Sequence, residues 1–148
     1  MSWELFAIAH LALAAVWFGS MGYSLAVVQP RVARFFTDLG QREEFLLTLA
    51  HGNRRPVIGL LVALTTAALL VLLTAPTLVR IGYGVVLVLQ SAAAGVFWQV
   101  SWRHWPARVF ALPEELPGYH RRLRALAWTM LVLVGAAFGT GLTVAVAA

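Results

Sequence analysis

Four histidines, at positions 10, 51, 104 and 120, carry the widest chemistry in this sequence. An imidazole can ligate a metal or haem iron, or exchange a proton near neutral pH. His10 stands in the stretch AHLALAAVWFGSMGY, residues 9–23, which is apolar enough for a membrane helix. About 10 Å of helix separates it from the start of the apolar run at Trp3, so the ring lies inside hydrocarbon and cannot reach the interface. An ionisable side chain at that depth marks a functional site by default and faces the bundle interior. Leu13, Ala14, Trp17, Met21 and Ser24 continue its face at helical steps. Gly19 and Gly22, with Ser20 between them, offer an adjoining surface on which another helix can approach closely. The same count puts Tyr83 at nearly the depth of His10 and Gln90 near the level of Trp17, with Thr65, Thr66, Thr140 and Thr143 in the same half or at its edge, a set that predicts a polar pocket around His10. Three uses of His10 remain open at this point: a hydrogen bond to Tyr83 or a threonine that knits the bundle, ligation of a haem or metal, and proton transfer.

His51, His104 and His120 all fall near the other ends of the apolar runs, about 25 Å of helix away from His10. A site joining His10 to a second histidine of the same chain is therefore excluded. Around these three, HGNRRP, WRHWPAR and YHRRLR gather aromatics and arginines at one surface. Their histidine spacing lacks a compact i, i+4 pair, so the first reading is arginines on anionic lipid phosphates and tryptophans in the interfacial belt. A second reading has Arg54, Arg55, Arg121 and Arg122 clamping a carboxylate-bearing ligand such as a porphyrin, aided by His51 and Asn53. Three methionines, Met1, Met21 and Met130, are too scattered for a copper track. No cysteine is present, which excludes disulfides, thiolate metal sites and c-type haem attachment.

The elements that must position these residues follow from composition. The chain of 148 residues is 61% hydrophobic and 11% charged, the balance of an integral membrane protein. Spans of about 20 residues or more run over residues 3–28, 56–75, 77–102 and 123–147, each long enough to cross a bilayer. They predict an all-α membrane four-helix bundle forming a single domain over residues 1–148. The first span has no basic n-region before it and reads as a retained helix rather than a cleaved signal. Between spans one and two, Val32, Phe35, Phe36 and Leu39 recur at helical spacing, predicting a short amphipathic piece at the interface and then a helix running through Phe45 and Leu49 into span two. The Ala75-Pro76-Thr77 turn makes spans two and three a hairpin. Three prolines between residues 103 and 122 predict a loop with at most one short helix. No convincing internal repeat is visible, although two hairpins of similar build leave pseudo-symmetry open.

All eleven basic residues are arginine, and the net charge is +5. These arginines flank apolar spans as topology determinants, so nucleic-acid binding does not follow. Residues 29–55 and 103–122 hold most of them, against Arg80 alone on the opposite side. The positive-inside rule then predicts both termini outside and both long loops in the cytoplasm of a bacterial-type inner membrane. No nucleophile–base arrangement suggests a hydrolase.

An early membrane histidine followed by Trp17-Phe18-Gly19, then Tyr23 and the Pro30-Arg31 pair, resembles the opening of CopD-type copper-resistance membrane domains. It is equally similar to the small HemJ-type proteins, four-helix membrane proteins associated with haem b and protoporphyrinogen oxidation. The likeness covers the first helix; beyond it there is topology and an arginine-bearing approach to helix two. The HemJ-like resemblance implies haem b on His10, with Trp17 and Gly19 shaping the pocket. It also implies a lysine early in helix two, where this chain has only Arg54 or Arg55, which keep the charge without the capacity to deprotonate or ligate. The CopD-like resemblance implies a copper ion handled at the outer side, where a lone histidine offers poor coordination. Together the residues and the resemblance predict a haem b protein, with His10 as axial ligand and Trp17, Gly19, Tyr83, Arg54 and Arg55 as further cofactor contacts. Its expected role is redox or haem-related, a haem-dependent oxidoreductase being one form, in a homodimer with a redox partner or larger membrane complex around it. The alternatives are a copper-handling membrane protein and a cofactor-free accessory subunit.

Overall fold

A computed structural model describes residues 2–148 and is helical nearly throughout. Helix α1 spans Trp3–Tyr23 and passes through a π turn, Ser24–Val28, directly into α2, Gln29–Phe35. After a short break, α3 runs from Leu39 to Thr74. Helix α4, Thr77–Gln99, passes through a second π turn, Val100–His104, into α5, Trp105–Val109, and α6 covers Leu116–Ala147. Four continuous helical rods result, at 3–35, 39–74, 77–109 and 116–147, each long and apolar enough to cross a membrane. The chain is a multi-pass membrane four-helix bundle, as its composition predicts.

Local chemistry sets the breaks. Asp38 caps α3, its Oδ1 accepting from the Gln41 N–H at 2.8 Å. At the α3–α4 turn the extended Pro76 stops one helix and starts the next, and the Arg80 Nε donates to the Ala75 carbonyl at 2.7 Å. The helix predicted through Phe45 and Leu49 into the second span is continuous, and it accommodates Pro56 in its interior. The interfacial piece before it is a direct continuation of the first span. The loop predicted between spans three and four is a correction: only residues 110–115 leave the helix. Pro117 occupies the first turn of α6, where a residue without an N–H costs no hydrogen bond, and Pro106 opens α5 directly after the π turn.

Helix α1 packs between α3 and α6, and α4 packs on the same two neighbours, so α1 and α4 face each other across the diagonal of the bundle. Gly82 admits Val144 of α6 to a distance that leaves no room for a Cβ, and Gly135 does the same for the Phe18 ring. The expected close approach at Gly19 and Gly22 is not made within the chain, since both face open space.

A two-fold correspondence emerges that the sequence hides. Ala7, His10, Ala14 and Trp17 are buried on α1 at the same spacing as Tyr83, Val86, Gln90 and Ala93 on α4. Each row is followed, at the same remove, by a π turn and an X-Pro step, at Pro30 and Pro106. Leu64, Ala67 and Val71 on α3 likewise match Val134, Ala137 and Gly141 on α6. Both hairpins start at the same end, so the pseudo-axis runs along the bundle. The correspondence lies in which positions are buried and where the π turns fall, while the residue types differ almost everywhere.

Candidate functional site: a polar layer at the bundle axis

Two apolar layers fill the bundle. One contains Ala7, Val71, Val79, Tyr83 and Val86, and the other Ala14, Trp17, Leu64, Ala93 and Val134. His10 and Gln90 lie between them, 1% and 5% exposed. The His10 Nε2 is 3.2 Å from the Gln90 Oε1, and the Gln90 Nε2 donates to the Thr65 Oγ1 at 2.9 Å. With the Gln90 amide nitrogen on Thr65 and its oxygen towards the ring, the hydrogen bond to His10 is made by the tautomer that carries its proton on Nε2. One chain of hydrogen bonds thereby ties α1 across the diagonal to α4 and then to α3. The Tyr83 ring meets His10 edge-on with centroids 5.3 Å apart. Its hydroxyl and the His10 Nδ1 are both buried without a hydrogen-bond partner.

Of the expected site residues, His10, Trp17 and Tyr83 come together. The partner of His10 is Gln90, however, and Tyr83 contributes only a ring edge. Depth counted by rise treats the helix starts as level and ignores the reach of a glutamine side chain, so it groups Gln90 with the polar lining around His10 without marking it as the partner. Gly19 is exposed, on the outside of the bundle, and shapes nothing here. Thr65 joins the centre, whereas Thr66 and Thr143 lie outside it, and Thr143 donates to its own helix at Gly139.

Arg54 and Arg55 sit at the arginine-rich end, away from His10. Arg55, Arg121 and Arg122 are exposed, as are His51 and Asn53. Arg54 serves the backbone: its Nη2 donates to the Ser101 carbonyl, and its guanidinium lies 5.2 Å from the Trp102 ring centroid. The π turn explains the need. The Trp105 N–H reaches back to Val100, and the next residue is Pro106, which has no N–H. The Ser101 carbonyl therefore loses both backbone donors available to it, and Arg54 replaces them.

A second polar hub at this end sets His120, with His104 behind it, beside Glu43 and Arg108, two residues that the sequence does not single out. Arg108, its side chain 2% exposed, forms a fork on Glu43 at 2.6 and 2.8 Å, and His120 adds a contact to the same carboxylate at 3.0 Å. Glu43 thus joins α3, α5 and α6. Behind it His104 is buried edge-on against Trp105 and Tyr119, with both ring nitrogens unpartnered. Among the described residues, no three His, Cys, Asp or Glu side chains are grouped to hold a metal ion.

The space at His10 decides what fits. A cavity of about 10 Å³ adjoins the ring, walled by Ala14, Trp17, Leu64, Gln90 and Val134. That is room for about one water, against about 300–1,000 Å³ for small-molecule sites. A porphyrin does not fit beside His10 in this packing, and a copper ion would find one nitrogen donor. No protein-family model, curated protein or solved structure matches the chain.

Proposed function

We propose that this chain is a cofactor-free subunit of a homodimer or larger membrane complex in a bacterial-type inner membrane, and that the His10 centre fixes the arrangement of its helices. The observation that carries this reading is the closure of the centre: a ring 1% exposed, bonded to Gln90, with space beside it for about one water. Such a centre has no room for a substrate, while a hydrogen bond spanning a bundle diagonal specifies which helices face each other. Glycines at 19, 84 and 95 have open space where a side chain would be, so partner helices can approach closely there. A second reading, haem b on His10 in a redox role, is favoured by one observation, the unpartnered His10 Nδ1 and Tyr83 hydroxyl. It requires Gln90 to release the ring and the helices to part.

The deciding experiment is the visible spectrum of the detergent-purified protein, oxidised and dithionite-reduced, with metal analysis and a measured oligomeric mass. The proposal expects no Soret band, no stoichiometric metal, no uptake of added haemin, and a mass above the monomer. A Soret band lost in His10→Ala establishes the haem reading, and copper retained through His10 establishes the CopD-like one.

A further inference from the structure

At the arginine-rich end a cavity of about 240 Å³ lies between the beginning of α3, α5 and the beginning of α6. Glu43, Glu44, Leu47, Trp105, Arg108 and Leu116 wall it. Its size suits a headgroup rather than a whole lipid. Two carboxylates face one guanidinium, leaving a net negative charge. Arg108 is held rigidly, with Nε and Nη2 on Glu43 and its guanidinium 4.7 Å from the Trp105 ring centroid. Its remaining Nη1 is buried and has no partner. Glu44 is exposed and takes part in no ion pair among the described residues. Beside the cavity, Val109, Phe110 and Leu112 are 54%, 86% and 62% exposed, a composition that suits the headgroup zone of a bilayer and not water.

We propose that this cavity binds an ethanolamine phosphate group, supplied by a zwitterionic membrane lipid. The primary ammonium meets Glu44 and the one acceptor position that Glu43 has left on Oε2, a phosphate oxygen takes the unpartnered Nη1 of Arg108 as the wall that covers it gives way, and the acyl chains leave along Leu47 and Val109. A quaternary choline fits this chemistry poorly. It has no N–H for the carboxylates, and the Trp105 face that would receive it is covered by Arg108. An anionic glycerol headgroup would meet two carboxylates and bring no cation to them. The site is independent of the His10 centre, which lies in the other half of the bundle.

The test uses the delipidated full chain in detergent and counts retained lipid by native mass spectrometry after addition of phosphatidylethanolamine, phosphatidylcholine or phosphatidylglycerol. Phosphatidylethanolamine is expected to be retained about tenfold over the other two. Glu44→Gln removes the ammonium partner without touching the Glu43–Arg108 fork, and Ala111→Trp fills the cavity from its rim; both are expected to abolish the preference with the thermal midpoint unchanged. Equal retention of the three lipids by the wild type, or an undiminished preference in both variants, overturns the proposal. Soluble O-phosphoethanolamine identifies the source: displacement of the lipid shows that the free compound suffices, and failure to displace shows that the acyl chains are needed, the recognition chemistry being upheld either way.

Discussion

At the scale of single residues, the informative pair is His10 and Gln90. Each would be costly in hydrocarbon alone, and each is made tolerable by the other. Intramembrane hydrogen bonds contribute about 0.6 kcal/mol on average and up to about 1.7. A double-mutant cycle of His10→Ala and Gln90→Ala, read from unfolding in mixed micelles, is expected to give a coupling in that range. Coupling indistinguishable from zero would show that the bond does not contribute to the fold. His10 is legible in the sequence because an imidazole in an apolar run is conspicuous. Gln90 as its partner is not, because the pairing depends on how α1 and α4 sit across the diagonal. The Glu43–Arg108 fork is invisible for a similar reason: the two residues lie in separate arginine-bearing segments, and nothing local distinguishes Arg108 from its neighbours.

Among the elements, the two rods that contain π turns show how proline acts without ending a helix. Read linearly, Gln29-Pro30 and Trp105-Pro106 look like stops. Each instead follows a π turn that shifts the hydrogen-bond register, so the missing N–H falls in the first turn of a new segment. What the sequence cannot reveal is the stranded carbonyl this leaves and the residue that serves it. Arg54→Ala leaves the Ser101 carbonyl without a donor and is expected to destabilise the bundle by about 1–3 kcal/mol. Arg54→Lys restores a donor without the planar contact on Trp102 and should recover part of the loss. Pro106→Ala returns the absent N–H, so the cost of Arg54→Ala should shrink in that background. Denaturant unfolding of the four variants checks this, and an Arg54→Ala penalty that is unaffected by Pro106→Ala would assign the effect to Trp102 instead.

Across the whole molecule, four apolar spans and the hairpin turn at Pro76 are legible because hydrocarbon thickness and backbone hydrogen bonding leave few alternatives. The two-fold correspondence is not, since it is written in burial and π turns and scarcely in residue identity. Glu43 is where the arginine-rich end is held together. Glu43→Ala strands a buried guanidinium and is expected to cost about 3–5 kcal/mol. The loss should be local first, with hydrogen exchange rising over residues 39–52 and 105–120 while α1 and the membrane part of α4 stay protected. Uniform loss of protection would mean that this end and the bundle unfold as one unit.

The correspondence between the hairpins bears on the His10 centre itself. Two identical hairpins related by an exact axis would be obliged to place every polar group twice, so an imidazole near the axis would face its own copy, and two imidazoles would need two partners. A single covalent chain is released from that obligation. Here the position matching His10 is Val86, and the position matching Gln90 is Ala14. The donor comes from one half and the acceptor from the other, and one hydrogen bond sits where symmetry would have demanded a pair. Asymmetry at the axis is thus open to a chain whose two halves match in shape and differ in sequence.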